Sequence, residues 1–393
     1  MEEVVGSIPT GSTNIPSGTV PGDPKFGVGA GLVRDSCPSG FSGCPLTAYP
    51  SGSRWMAPQI PCRRARCSMN GSWLEDPSFT PSTRSGHTRM LVANSESMIE
   101  RVSAALVKAG FPHDPHALEL HSRKDRLVVR ISHDRMAWFG LNEEGRVALT
   151  KDRRVLRLLE RYCHFSAPRV LYEDETGWDL RALVQGAVHP FGLSERVVGD
   201  PAFAYAFGED LGRMLAEQHT RIPPAELAGW LPAVPNWPKP DDLPHLAEVI
   251  DDPKLLARID QALLRRAKLR RVLQDPVLVH ADLGLHNIAV DPASYRVVGL
   301  FDYEGAAFGD RHHDFAYMVF PPAEEPMLEG ALATYEPAAG IEIDRDRVRL
   351  LNAVAAIGFL AFRRGHLPEE VWCGRTLAQD LAWTDAALER VGL

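Results

Sequence analysis

Nowhere in the 393 residues does an apolar run reach the eighteen or so positions that a membrane-spanning helix requires. That excludes an integral helical membrane protein and points to a soluble chain with no membrane partner, expected in the cytoplasm. Basic charge is also short: 43 Lys and Arg stand against 51 Asp and Glu, for a net charge of −8. A protein that grips nucleic acid through its phosphates carries the opposite balance, so no nucleic-acid partner is expected. Cysteine is sparse and poorly placed for a metal. Cys37, Cys44, Cys62 and Cys67 fall near the amino terminus at spacings that contain no C-x-x-C pair, and no histidine pattern accompanies them. The other two of the six, Cys163 and Cys373, have apolar-to-mixed surroundings and read as packed thiols.

Residues 1–89 lack any sustained period of 2 or 3.6. Gly, Pro, Ser and Thr dominate stretches such as Gly6 to Ser12 and Pro77 to Ser82. Such a segment buries too little apolar surface to offset its ordering entropy and is expected to be a disordered extension. It has neither the apolar core of a signal peptide nor, with Glu2 and Glu3, the acid-poor start of a transit peptide. Met90, just ahead of the helix-like Ser95 to Glu100, is an alternative translation start. The extension holds eight Lys and Arg against six Asp and Glu, so the acidity lies in the remainder, where it would favour a cationic ligand.

Chemistry concentrates in Val277-Leu278-Val279-His280-Ala281-Asp282-Leu283-Gly284-Leu285-His286-Asn287, followed fifteen residues after Asn287 by Asp302 in Val298-Gly299-Leu300-Phe301-Asp302-Tyr303-Glu304. Val277 to Val279 and Ile288 to Val290 are short β-branched runs, Asp291 to Ser294 is a turn, and Tyr295 to Phe301 is a third run. A hairpin of this kind brings Asn287 and Asp302 to one end. An aspartate and an asparagine five positions apart, then a second aspartate across a hairpin, is the spacing of a phosphoryl-transfer site. One carboxylate serves the acceptor hydroxyl, and the Asn and second Asp hold a metal against the phosphates.

These motifs resemble the aminoglycoside phosphotransferase and choline kinase-like family, small-molecule relatives of protein kinases. His280-Ala281-Asp282 has a small residue where protein kinases carry Arg, and Phe301-Asp302-Tyr303-Glu304 stands in place of Asp-Phe-Gly. Gly309-Asp310-Arg311-His312-His313-Asp314-Phe315-Ala316 and Leu215-Ala216-Glu217-Gln218-His219 resemble further segments of the family. The resemblance covers residues 115 to 365. It implies a bilobal, protein kinase-like α+β fold, with a small antiparallel N-terminal sheet and a mainly helical C-terminal lobe. It also implies ATP or another nucleoside triphosphate and Mg²⁺ as cofactors. The partner would be a small-molecule hydroxyl acceptor, and the protein a monomer or homodimer.

In residues 90–186 the pattern predicts a helix over 97–109 and strands at 118–121, 127–131 and 136–141, then a helix from about Glu144 to Tyr162 with Val155, Leu156, Leu159 and Tyr162 on one face. By resemblance, Asp152 stands where the family has the helix Glu that steadies a phosphate-binding cation. Arg130 is the leading candidate for that cation, with Lys151 in reserve. The turn at Ser122 to Asp125 has no glycine, so any phosphate cover there relies on Ser122 and backbone amides. The hinge is expected near Leu180 to Gly186, with Val184 and Gly186 facing a purine.

Residues 187–393 carry helical stripes: Phe203, Phe207, Leu211, Met214 and Leu215; Leu255, Leu256, Ile259 and Leu263; Leu350, Leu351, Val354, Ala355 and Phe359. The resulting assignments are Asp282 as base or orienter and His280 shaping its loop, with Asn287 and Asp302 as metal ligands and Glu304 on a metal-bound water. His219, Asp310 and Asp314 are structural, Asp314 in a position to hold the catalytic loop. His286 flanks the metal without binding it, since Mg²⁺ prefers oxygen. Gly229 to Pro238 and the C-terminal helices are expected at the acceptor cleft. Two alternatives stay open. One is a metal-dependent phosphoesterase using His280, Asp282, His286, Asp302, His312 and His313. The other is an inactive nucleotide-binding pseudokinase.

Overall fold

The computed structural model describes residues 98–122, 125–270, 275–319, 325–371 and 375–393. The expected extension 1–89 and the proposed start at Met90 lie outside the described residues, as does part of the turn after Ser122. The chain forms two lobes. The first opens with helix α1 (98–108) and strands β1 (Glu119–Ser122), β2 (Arg126–Arg130) and β3 (Arg135–Gly140). Helix α2 (Glu143–Tyr162) and strands β4 (Arg169–Asp174) and β5 (Trp178–Ala182) complete it. The five strands form one antiparallel sheet in the order β1-β2-β3-β5-β4.

Side-chain alternation explains how the sheet faces two ways. Leu127 and Val129 pack with Ala137, Trp178 and Leu180 under Val102 and Leu106 of α1. Val128 and Met136 point to the opposite face and meet Leu183, Val184 and Phe301 at the junction with the second lobe. Helix α2 starts where the Asn142 side chain accepts from Gly145 N at 2.8 Å, with Glu143 and Glu144 favourably placed in its first turn. Its buried face, Leu149, Val155, Leu156 and Leu159, is interrupted by one charged residue, Asp152.

The second lobe contains helices α3 (Pro190–Gly199), α4 (Pro201–Arg221), α5 (Leu243–Leu246) and α6 (Pro253–Arg270). Strands β6 (Val277–Val279), β7 (Ile288–Val290), β8 (Val297–Leu300) and β9 (Ala307–Gly309) follow, then helices α7 (His312–Phe315), α8 (Pro326–Ala339), α9 (Arg345–Phe362) and α10 (Leu377–Arg390). Two small antiparallel pairs result, β6 with β9 and the hairpin β7–β8. The hairpin turn is closed by Asp291, whose Oδ1 accepts from Ala293 N at 3.1 Å and Ser294 N at 2.7 Å. Helices α4 and α8 pack backbone to backbone. A Cβ at Gly208 would lie 2.0 Å from Met327 O, and one at Gly212 would lie 2.1 Å from Ala331 O. The apolar faces of α6, α9 and α10 form a separate core around Ile259, Ile357 and Leu388.

Candidate active site

The site is built on the loop between β6 and β7. Buried Leu278 and Val279 fix β6, and the chain then leaves the strand through Ala281, which sits in the left-handed region at φ 60°. Asp314 makes that turn possible. Its Oδ1 accepts from Ala281 N at 2.9 Å, and its Oδ2 accepts from His280 N at 3.0 Å, His219 Nε2 at 3.0 Å and Gln218 Nε2 at 3.3 Å. Four donors satisfy a carboxylate that is fully buried. Burial pushes the Asp314 carboxyl up, yet the His219 hydrogen bond and the neighbouring His280 bring it net below the ordinary carboxylate value. Burial holds His219 below the ordinary imidazole value, so it stands neutral, donating from Nε2 to Asp314 while Nδ1 accepts from the Tyr335 hydroxyl at 3.1 Å.

His280 bonds at both ring nitrogens. Nδ1 accepts from Asp282 N at 3.3 Å, which leaves Nε2 as the donor to Phe301 O at 2.9 Å. The ring thus ties the Asp282 loop to the strand end that carries Asp302. Asn287 Nδ2 donates to Asp282 O at 2.8 Å, and Phe301 N donates to Asn287 O at 3.1 Å. Asp282, Asn287 and Asp302 are therefore cross-linked into one unit. Asp302 occupies the left-handed region at φ 63° and ψ 61°, a conformation that costs a non-glycine residue about 1–3 kcal/mol and that clusters at functional sites.

Asn287 Oδ1 is buried and accepts no hydrogen bond. With its amide committed to Asp282 O, that oxygen and the Asp302 carboxylate form an all-oxygen donor pair suited to a hard cation such as Mg²⁺. His286 Nε2 lies 3.6 Å from Asp282 Oδ1, beside this pair.

A model of the phosphotransferase enzyme family matches residues 115–351. The chain belongs to that family. No curated protein matches it. Among solved structures, the GDP complex of wild-type aminoglycoside 2'-phosphotransferase-IIIa is similar at TM-score 0.51 and 17% identity, over 75% of this chain and 97% of its own. Macrolide 2'-phosphotransferase MphH from Brachybacterium faecium, an apoenzyme, is similar at TM-score 0.51 and 18% identity, over 74% of this chain and 98% of its own. At such identities the likeness is one of fold, and it makes this phosphotransferase a kinase-like, bilobal α+β protein.

Between the lobes of the phosphotransferase lies a cleft lined by Val128, Met136, Trp138, Asp152, Leu183, Val184 and Asp302 to Glu304, among others. Val184 is part of that lining. Gly186, at φ 145°, lies against the second lobe, where a Cβ would meet Val298 Cγ2 at 2.8 Å. Ser122 ends β1, exposed, at the edge of the turn. Arg130 is placed differently from expectation: it pairs with Glu119 on β1 at 3.5 Å. The residue beside Asp152 is Arg126, four positions earlier on the same strand face, with Nη1 3.6 Å from Asp152 and 3.0 Å from Glu304. Lys151 lies 3.8 Å from Asp152 and donates to the Glu304 carbonyl.

Sequence reasoning also missed Arg181 and Trp138. Arg181 is bound bidentately by Asp179 at 2.6 and 3.0 Å and stacks 4.4 Å over the Trp138 ring inside the cleft. Gln218 was missed as well, although it touches Leu278 O, Asp314 and the Tyr303 hydroxyl. The ligands that a phosphoesterase would need are spoken for separately. His280 serves the loop, and His312 binds Asp310 at 2.6 Å and accepts from Asp344 N. Among the described residues no three His, Cys, Asp or Glu side chains converge as metal ligands.

Proposed function

We propose that this phosphotransferase moves the γ-phosphoryl group of ATP, or of another nucleoside triphosphate, onto a hydroxyl of a small molecule with Mg²⁺ as the metal. The observation that carries the reading is the cross-linked unit of Asp282, Asn287 and Asp302, in which Asn287 Oδ1 is buried without a hydrogen bond. Asp282 sits at the acceptor side of that unit, orients the attacking hydroxyl and takes its proton as the bond to phosphorus forms. Asn287 and Asp302 would hold the metal through oxygen, with Glu304 close by to support it. Mg²⁺, when bound, neutralises charge developing on the phosphate oxygens. His280 and Asp314 keep Asp282 at its station.

The acceptor lies beside the segment Gly229 to Pro238, since Val234 packs on the same cluster of Val277, Val279 and Ala307 as Ala281, at the root of the loop that carries Asp282. Hydroxylated antibiotics of the aminoglycoside and macrolide kinds, named for the two similar structures, are the first acceptors to screen. The test compares two variants. Asp282→Asn keeps Mg-nucleotide binding by calorimetry and loses turnover by about 100-fold or more, whereas Asp302→Ala weakens metal-dependent nucleotide binding itself. Unchanged turnover in Asp282→Asn overturns the assignment, and nucleotide binding without turnover on any acceptor selects the pseudokinase alternative.

A further inference from the structure

The phosphate-binding cation of a kinase-like cleft has to reach the phosphates from the N-terminal lobe while an acidic residue on the long helix steadies it. The acidic residue is here, as Asp152. The cleft-facing residue at the middle of β3 is Trp138, which carries no charge. Among the described residues, four cations lie around the cleft. Arg130 pairs with Glu119 at the hinge end of the sheet, as the register of β2, β3 and β5 shows. Arg181 is bidentate to Asp179 and stacked on Trp138. Lys151 donates to the Glu304 carbonyl. That leaves Arg126.

Arg126 sits at the end of β2 next to the β1–β2 turn, the end of the sheet farthest from the hinge. Nε and Nη2 are held by Asp125 at 3.2 and 3.1 Å, which fixes the plane of the guanidinium. The third nitrogen, Nη1, is buried and makes no hydrogen bond, and it lies 3.0 Å from a carboxylate oxygen of Glu304, two residues past Asp302. Asp152 is 2% exposed, yet neither of its oxygens accepts a hydrogen bond and its nearest cation approach here is 3.6 Å. Burial raises its carboxyl above the ordinary value despite Lys151, Arg181 and Arg126, as expected of an anion whose counterion is held off.

We infer that Arg126, delivered from β2 and not from β3, is the residue that contacts the nucleotide's phosphates, and that Glu304 occupies its Nη1 until metal and nucleotide arrive. This rests on the proposed function and extends it to one residue. A guanidinium ringed by Asp125, Asp152 and Glu304 already carries an excess of negative neighbours. A phosphate cannot join them unless one leaves, and Glu304 is the one beside the metal-binding pair. Metal binding draws Glu304 away, Nη1 turns to a phosphate oxygen, and Asp152 remains behind as the counterion. Metal and nucleotide therefore bind cooperatively through a single exchange of partners.

Calorimetry on the full chain tests this with ADP and with the matching nucleoside. Arg126→Ala weakens ADP binding about ten-fold or more and leaves nucleoside binding within two-fold, and Arg126→Lys, which retains a point charge, recovers part of the loss. Glu304→Gln strengthens ADP binding measured without metal, since the internal competitor has lost its charge. Equal losses for ADP and nucleoside in both Arg126 variants overturn the inference in favour of a structural role, as does ADP binding that ignores Arg126→Ala. Weaker metal-free ADP binding in Glu304→Gln overturns the exchange. A wild-type chain that binds neither nucleotides nor nucleosides overturns the proposed function, and the inference with it.

Discussion

Replacing Asp314 with asparagine isolates what the buried carboxylate does for the catalytic loop, because the two side chains have nearly the same shape. Asp314 Oδ2 accepts three hydrogen bonds and Oδ1 accepts one, from Ala281 N at 2.9 Å. An asparagine minimises its loss by keeping its oxygen at the Oδ2 position and placing its amide against Ala281 N–H. One hydrogen bond to a charged acceptor disappears, about 1.5–3 kcal/mol, and two donors then face each other in a fully buried site. The surviving three bonds weaken as the charge is lost, so the total is roughly 3–5 kcal/mol, the range found when one partner of a buried charge network is removed. At about 2–4 °C per kcal/mol for a domain of this size, the melting temperature falls by roughly 6–20 °C. Because the orphaned N–H belongs to the residue before Asp282, turnover falls further than the unfolded fraction explains. Urea unfolding and steady-state turnover at a temperature where the variant is folded read both effects. A stability loss under 1 kcal/mol, or full activity per folded molecule, refutes the idea that Asp314 sets the position of Asp282.

Gly212→Ala gains about 1 kcal/mol of helix propensity but drives a methyl onto Ala331 O at 2.1 Å, and overpacking against backbone costs about 3 kcal/mol, so thermal melting shows a net loss near 2 kcal/mol; a stabilised variant would mean that α4 and α8 separate easily. Stability also depends on pH through His219, whose folded pKa is below its unfolded value of about 6.5. The unfolded chain then binds more protons in the window under 6.5, and acidification from pH 7.5 to 5 removes up to about 2 kcal/mol. Asp314, with its depressed pKa, adds its own loss only below about pH 4. In His219→Gln the fall between pH 7.5 and 5 is smaller, and denaturation midpoints that follow wild type across that window dispose of the assignment.

The β6–β7 loop and the β7–β8 hairpin were legible because short β-branched runs, an Asp-Pro turn and polar residues at fixed spacing sit within thirty residues of one another. β6 and β7 fall on the residues that the sequence indicated. Strands β4 and β5 were not read. Arg169–Asp174 alternates but is half charged, and Trp178–Ala182 contains the ion pair of Asp179 with Arg181, so neither resembles an apolar strand. Arg126 and Arg130 share a strand face, and periodicity alone does not say which of them stands beside Asp152. That choice is made by the β1–β2 turn and by the height of Asp152 on α2, both properties of the assembled lobe. Gln218 carried no signal, since its partners are a carbonyl, a carboxylate and a tyrosine hydroxyl from three distant segments.

The β7–β8 hairpin has a role beyond carrying Asn287 and Asp302. Two segments are fastened to it: in the connector after β5, Ala187 exchanges backbone hydrogen bonds with Val290 at 2.7 and 2.9 Å, and in the α2–β4 loop, Ser166 O accepts from Leu300 N at 3.0 Å. Asp282, by contrast, is anchored through Asp314 to α4. The hairpin is thus the fulcrum on which the upper lobe would rock. A point on the fulcrum moves least, so opening or closing the cleft would carry the sheet, and with it Arg126, through an arc while Asn287 and Asp302 stay still. On the proposed function, nucleotide would then load and leave without Asn287 and Asp302 having to be repositioned at each turnover.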